Sequence, residues 1–500
     1  MSKTPDQPPF LLFASGIVSD HTEMEGDCAC PTWSASERIP EKGKSLPRNR
    51  TVTQTPTYRT PLSGDFSLLW ALRRHLGMAV LDDRALAVWN RFATPESTTS
   101  AMVGLPVDLS SSHVLDLIRR FWCEGFLEDS IQTSSPMVIP PQPDFVAWIQ
   151  LTDQCNLNCS YCYVPRTSAE SVMSEQTGRL VVDAIFRSAQ AHGYGKVKIK
   201  YAGGEPLLHF ARIESLHRYA TQRAAQLGIA LHSVVLSNGT LLTPPMLKMF
   251  QELQLALMIS MDELPSPDKG QRSRGDGHRV AVEVQQCVDL ALHHGVTPLI
   301  SITLTNQNAP DLPGVVRWAL TRNLRFSISF VRKPRLAIDR GAFQLDADKA
   351  IPSLRAAFEV IERDLPPWSL LYGLLDHVNL AVAHTRACGV GQNYLVFDCK
   401  GNVTGCHMQT DSTVATAAMP DPLSVVRTAF GQLNADVDAR KGCQGCDWRY
   451  WCGGGCPGVT LQAHQPREGQ SPYCSIYRSL LPDVLRLEGL RILKRSALIC

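Results

Sequence analysis

From residue 144 onward, short apolar runs alternate with longer stretches in which apolar positions recur every three or four residues. The runs predict strands at 146–152, 196–201, 233–237, 256–261, 299–305 and 325–330. The stretches between them, such as 175–192 and 280–294, predict helices. Six strand–helix alternations predict an α/β fold with a parallel sheet. Active sites on such sheets sit at the carboxyl ends of the strands. A cysteine-rich loop begins at Cys155, just beyond the first of them.

The flanking regions have other textures. Residues 1–62 are rich in Pro, Ser, Thr and charge and keep no regular period, so an extended or disordered arm is expected there. Residues 63–138 read as a small module. An extended piece at 78–81 leads to a helix start at Asp82 and Asp83, and Leu86, Trp89 and Ala93 share a face. A second helix carries Val114, Leu117, Ile118 and Phe121 and ends near Gly125, after which Phe126 and Leu127 begin a wing strand. This pattern suits a winged helix, with a plain helical cap as the alternative. The barrel region spans 144–345, and 346–385 reads as a helical connector. Short strands, glycines and cysteines fill 386–478, and an amphipathic helix at 480–493 dominates the last segment, 479–500.

Composition narrows the function. A chain of 500 residues predicts two to four domains. The balance of 49 basic against 47 acidic residues, net +2, argues against a general nucleic-acid or membrane-surface binder. No apolar run reaches the roughly 18 residues needed to span a bilayer. No secretory signal is apparent, so the protein is expected in the reducing cytoplasm. Disulfides are rare there, so sixteen cysteines point to metal ligation or catalysis. Three lie between Cys155 and Cys162, and eight between Cys388 and Cys474. Cys28, Cys30, Cys123, Cys287 and Cys500 are scattered.

Cys155, Cys159 and Cys162 form a CxxxCxxC motif. Three thiolates at this spacing suit one face of a cubane and leave its fourth iron open. A structural zinc site usually wants four ligands, and no fourth Cys or His is adjacent. Gly203-Gly204-Glu205-Pro206 follows the second strand, Ser237-Asn238-Gly239-Thr240 the third, and Ser260-Met261-Asp262 the fourth. In this order the motifs resemble the radical S-adenosylmethionine (SAM) superfamily, whose signature places an aromatic residue where Tyr161 stands. The resemblance implies a partial (β/α)6 TIM-like barrel. It implies a [4Fe–4S] cluster on Cys155, Cys159 and Cys162 whose open iron chelates SAM. Reductive cleavage then yields a 5′-deoxyadenosyl radical that removes a substrate hydrogen. The Gly203–Pro206 loop would hold the SAM amino group, through Glu205, while Ser237, Asn238, Ser260 and Asp262 would line the ribose and active site.

The C-terminal cysteines, Cys388, Cys406, Cys443, Cys446, Cys452, Cys456 and Cys474, are similar in spacing to the SPASM extension of radical SAM enzymes that act on peptides and proteins. That resemblance implies two auxiliary [4Fe–4S] clusters, so three clusters in all. The outer one would use Cys443, Cys446, Cys452 and Cys474, the inner one Cys388, Cys406 and Cys456. The inner cluster's fourth ligand is Cys399, Cys123 or an open iron. A double zinc ribbon is the alternative. Sulfatase-maturing enzymes of this architecture carry a basic Asp after the cysteine matching Cys406; here that residue is His407, a candidate base.

Segments of 63–138 resemble the PqqD-like element that binds a precursor peptide's leader by β-strand addition. Together the resemblances imply a maturase that forms a thioether or carbon–carbon crosslink in a precursor peptide. They imply a flavodoxin- or ferredoxin-type electron donor and no nucleic-acid or membrane partner. The alternatives are a sulfatase-maturing type of side-chain oxidase and a non-catalytic iron–sulfur electron carrier.

Overall fold

Short apolar and threonine-rich runs in the first quarter of the chain pair into two small antiparallel sheets. The computed structural model describes residues 9–13, 51–72, 77–103, 109–131, 137, 139, 144–164, 171–266, 270–332, 345–463 and 469–497; Cys28, Cys30 and Cys500 lie outside them. One sheet has the order β1-β5-β4-β3, from β1 (Leu11–Phe13), β3 (Thr57–Pro61), β4 (Phe66–Ala71) and β5 (Met78–Asp82). The other has the order β6-β2-β7, from β2 (Thr51–Gln54), β6 (Glu96–Ser97) and β7 (Leu127–Asp129). Residues 1–62, expected as an arm without regular structure, thus supply three strands. β1 is wholly apolar, while the Thr, Val and Tyr side chains of β2 and β3 suit a pleated, half-buried surface although few are strongly apolar.

Two helices complete this region. In α1 (Asp83–Asn90), Asp82 caps the first turn by accepting from the Ala85 amide at 2.9 Å. The helix stops at Asn90, so Ala93 falls beyond it in a 3₁₀ turn rather than on its face. In α2 (Ser111–Cys123), Val114, Leu117, Ile118 and Phe121 are buried as their spacing predicts. Leu127 then enters β7, which pairs with β2.

The α/β region follows the predicted alternation: β8 (Asp144–Gln150), α3 (Glu175–Ala191), β9 (Lys196–Ala202), α4 (Phe210–Leu227), β10 (Ala230–Ser237), α5 (Pro244–Glu252), β11 (Ala256–Ser260), α6 (Ala281–His293), β12 (Leu299–Leu304), α7 (Leu312–Thr321) and β13 (Phe326–Phe330). The six strands pair in parallel in sequence order, so all their carboxyl ends lie along one rim.

Beyond β13 come α8 (Ala347–Arg363), β14 (Tyr394–Phe397), β15 (Asn402–Thr404), β16 (Ala415–Thr416), α9 (Pro422–Phe430), α10 (Arg449–Cys452), α11 (Pro457–Gln462) and α12 (Cys474–Ala497). The 346–385 connector is helical only as far as Arg363, because Pro366 and Pro367 cannot continue a helix. The cysteine-rich region is not separate from the barrel sheet: β14 pairs in parallel with the outer edge of β8, and β15 and β16 extend the sheet to nine strands. An unpaired β8 edge would leave its backbone polar groups without partners.

The closing helix is longer than the 480–493 period suggests and starts at Cys474 itself. It packs on α8 and against β3, β4 and β5, which joins the two ends of the chain. Gly489 permits this approach, since an added Cβ would lie 2.7 Å from a Leu68 methyl. A buried Glu488–Arg491 pair at 2.6 Å within α12 ties the helix to the segment after α8, where Glu488 accepts from the Leu370 amide at 2.8 Å and Arg491 donates to Pro367 O at 3.2 Å. Among the described residues no helix is long and apolar enough to cross a membrane.

Candidate active site

At the rim of the sheet, β8 runs into the loop that carries Cys155, Cys159 and Cys162. The loop after β9 is strapped to it: the Gly204 amide donates to Thr152 O and the Glu205 amide to Gln154 O, each at 2.7 Å. The glycines are required by this contact. A Cβ on Gly203 would stand 2.5 Å from Thr152 O, and one on Gly204 would stand 2.2 Å from Gln154 O. Both obstacles are backbone and cannot swing aside. Gly204→Ala should therefore cost about 1–3 kcal/mol and displace the cysteine loop, seen as a lower thermal midpoint together with a lower iron content after reconstitution.

Glu205 is fully buried and ties a third loop to these two. Its carboxylate accepts from the Leu207 amide at 3.0 Å, the Ser237 hydroxyl at 2.8 Å and the Asn238 amide at 2.8 Å. Burial raises its pKa, although these bonds stabilise the charge. Asn238 continues the network: its amide donates to Asn156 inside the cysteine motif at 2.9 Å, and Asn156 donates to Thr240 at 2.9 Å.

The loops enclose an open cavity of about 1100 Å³, counting the part that merges with solvent. Its wall includes Cys155, Cys159, Cys162 and Tyr161, then Gly203 and Gly204, then Ser237, Asn238 and Ser260. Three residues expected at the cofactor, Glu205, Pro206 and Asp262, lie behind this wall instead. Pro206 is buried at the start of a 3₁₀ turn. Asp262 accepts from the Thr303 amide at 2.7 Å on one oxygen and from the Tyr161 hydroxyl and Arg272 on the other.

Arg272, with no signal in the sequence pattern, is the main electrostatic feature of the cavity. Its guanidinium donates to Tyr161 Oη at 2.6 Å and to Asp262 Oδ2 at 3.4 Å. Burial opposes its charge, but Cys159, Tyr161 and Asp262 around it hold its pKa above the ordinary range. The Cys159 thiol is pushed up to about 11, chiefly by burial, with Arg272 pulling the other way. Burial likewise raises Cys155.

The far wall comes from β8, from the end of β13 and from the turn after β15. His407 stacks on Trp148 with centroids 4.6 Å apart and planes 15° apart, and its Nδ1 lies 3.2 Å from the hydroxyl of buried Tyr394. Tyr163 tilts toward the same ring at 5.5 Å. Trp148 occupies the cavity-facing register of β8 and was readable in principle from strand alternation.

A second cavity of about 350 Å³, again counting open space, is lined by Cys443, Cys446, Cys452 and Cys474. Burial raises the thiols of Cys443 and Cys474 and takes Cys452 to about 12. The turn between Cys452 and Cys456 consists of Gly453, Gly454 and Gly455, all with φ between 55° and 78°, where other residues are strained. Of the remaining cysteines, Cys388 and Cys456 are buried and Cys406 is half-buried. The Cys388 sulfur lies 3.6 Å from the Asn434 amide. Burial would raise Cys456, but Arg332 and a hydrogen bond with His377 bring it down to about 7. Cys399 sets its thiol 4.0 Å from Asp153, in the loop leading to Cys155, and Cys123 is exposed on α2.

Among the described residues no three His, Cys, Asp or Glu side chains converge on a point that a single ion could fill. A cubane makes a different demand, because each thiolate takes its own iron at a separate corner. Three sulfurs on one cavity wall and four on another suit that demand.

Residues 149–319, which carry these rim loops, match the model of the Radical SAM superfamily. Proteins of this superfamily bind a [4Fe–4S] cluster and SAM. The chain is 27% identical over 188 residues to an uncharacterized protein of Methanocaldococcus jannaschii, spanning 37% of this chain and 62% of that protein, less than two thirds of its length. It is 23% identical over 370 residues to a serine-type anaerobic sulfatase-maturating enzyme of Klebsiella aerogenes, 69% of this chain and 86% of that enzyme. Among solved structures, native anSMEcpe with bound AdoMet shares the fold with a TM-score of 0.58 at 16% identity, covering 69% of this chain and 99% of that one.

Proposed function

We propose that this protein is a radical SAM peptide maturase with three [4Fe–4S] clusters. The observation that carries the reading is the shared cavity, where the cysteine loop and the glycine loops of the barrel face His407 from the C-terminal region. A cluster with SAM bound supplies a 5′-deoxyadenosyl radical for hydrogen abstraction. Cys155, Cys159 and Cys162 hold that cluster. Ser237, Asn238 and Ser260 border the space for SAM, and Arg272 offers a buried cation to its carboxylate. Cys443, Cys446, Cys452 and Cys474 hold the outer auxiliary cluster; Cys388, Cys406 and Cys456 hold the inner one.

In this reading the substrate side chain enters against Trp148 and Tyr163, and His407 accepts a proton as oxidation proceeds. Its ring is oriented by stacking on Trp148 and by the Tyr394 hydroxyl. The product is a thioether or carbon–carbon crosslink in a precursor peptide, whose leader docks on the N-terminal module, with electrons from a flavodoxin or ferredoxin. A second reading, oxidation of one side chain of a protein, is favoured by the likeness to the serine-type sulfatase-maturating enzyme. Tandem mass spectrometry of a co-expressed candidate peptide separates the two. A crosslink joins two residues and resists fragmentation between them, whereas a side-chain aldehyde reacts with hydrazine. An unmodified peptide with SAM left intact would refute both. His407→Ala should leave 5′-deoxyadenosine formation nearly unchanged and lower peptide modification by about 10²–10⁴-fold; equal losses in both would remove His407 from the proton-accepting role.

A further inference from the structure

Among the described residues lining the second cysteine cavity, Tyr477 alone has a fully buried side-chain polar atom to which no protein group hydrogen-bonds. It follows Cys474 by one turn of α12 and faces the cavity with Cys443, Cys446, Cys452 and Cys474. The tyrosine hydroxyls near it are taken: Tyr473 donates to Val331 O and Tyr450 to Asp438, each at 2.9 Å. Leaving a buried hydroxyl unpaired is costly, so the group calls for a partner that the cavity itself holds. The ring is fixed on two sides. One face stacks on Phe330 of β13, with centroids 5.9 Å apart and planes 10° apart. Its edge lies over the glycine turn between Cys452 and Cys456, where a Cβ on Gly455 would stand 3.1 Å from Tyr477 Cε2.

We propose that the Tyr477 hydroxyl donates a hydrogen bond to a sulfur of the outer auxiliary cluster, on its Cys452 side, and so raises that cluster's reduction potential. The proposal rests on the three-cluster reading above and adds to it a positioning residue that sets how readily the outer cluster takes an electron.

The surroundings leave sulfur as the acceptor. Burial holds the Tyr477 hydroxyl well above its ordinary pKa, so it keeps its proton, and the charges of Asp376, His377, Cys452 and Cys456 act on it. Asp376 and His377 are both engaged by the Arg332 guanidinium, at 2.9 and 2.8 Å. Reduction of a cluster adds negative charge that spreads over its sulfurs. A donor aimed at one of them is bound more tightly by the reduced form than by the oxidised form, which favours reduction. In a buried site this effect is weakly screened. The position also bears on the chemistry. Phe330 belongs to the wall of the first cavity and Tyr477 to that of the second, so the stacked pair joins the two. A raised potential makes the outer cluster the better acceptor for the single electron that a substrate radical gives up, while the proton goes to His407 as above.

The test is a redox titration of the reconstituted full chain followed by electron paramagnetic resonance, with the outer cluster identified as the signal that Cys446→Ala removes. Tyr477→Phe keeps the ring, its volume and its stack on Phe330 and deletes only the oxygen. At a fixed potential the ratio of reduced to oxidised outer cluster should fall about tenfold, a midpoint lower by about 59 mV for a one-electron couple. Iron content should be unchanged. A full complement of iron with an unmoved outer midpoint overturns the proposal. So does a shift confined to the inner cluster, which would set the donor on the Cys456 side. If the variant loses the cluster, wild-type protein made with tyrosine labelled with carbon-13 at the phenol carbon decides. The outer signal should then carry a carbon-13 hyperfine coupling, since Tyr450 and Tyr473 are turned to protein acceptors, and its absence overturns the proposal. Wild-type protein with no outer signal at all would refute the three-cluster reading and this proposal with it. A normal outer signal that ignores Tyr477 refutes the proposal and leaves that reading standing.

Discussion

Cys159→Ala should abolish SAM cleavage, with 5′-deoxyadenosine falling by about 10³-fold or more to background, as expected when an essential member of a catalytic unit is lost. Cys159 is the most deeply set thiol of its motif: it lies on the cavity wall, burial takes it to about 11, and the Arg272 charge faces it. A buried thiol with so high a pKa stays protonated unless a cation replaces water, and iron supplies that cation. With alanine there, two sulfurs remain for a cluster that already has one corner open, and a second open corner exposes the site to loss. Reconstituted protein should hold about four irons fewer per chain, while the four sulfurs of the second cavity keep theirs. Iron analysis and electron paramagnetic resonance before and after SAM addition measure both effects. Wild-type cleavage in the variant would mean that the cluster is elsewhere.

Much of this was legible in the sequence because the information is local. The CxxxCxxC loop, the Gly203-Gly204 turn and the six parallel strands each announce themselves within a short window, and the strands are buried on both faces. What was hidden depends on partners far along the chain. β2 pairs with β7 and β14 with β8, and neither partner is visible from a threonine-rich or short apolar run. Arg272 lies in a polar loop without period; it matters only because Asp262 and Tyr161 meet it in space. Glu205 has a second role that its sequence context did not announce. An acid in a glycine loop suggests a ligand for a cofactor, and its oxygens also tie loops together by accepting from Leu207, Ser237 and Asn238. The same glycines that suggest close approach to a ligand are needed for close approach of two loops.

Cys446→Ala should separate two activities that share one cavity in the wild type. The second cysteine cavity has no wall residue in common with the first. Loss of one of its four sulfurs should remove about four irons and leave the first cluster in place, so SAM cleavage should stay within about tenfold of wild type. Peptide modification should fall further, by about 100-fold or more, because completing an oxidation requires a route for the second electron. Cys446 suits this experiment better than its neighbours. All three are half-buried, but Cys452 ends α10 and Cys474 begins α12, the helix that packs on β3, β4 and β5, whereas Cys446 lies outside both helices. Replacing either of those would confound cluster loss with unfolding. Arg478, hydrogen-bonded to the Cys446 sulfur, would face an empty corner on the exposed side, where water can solvate it. An unchanged thermal midpoint with unequal losses would assign the second cavity to electron transfer. Equal losses would make it a structural staple for the C-terminal helix, since a site that only holds α12 in place has no reason to distinguish cofactor cleavage from substrate oxidation.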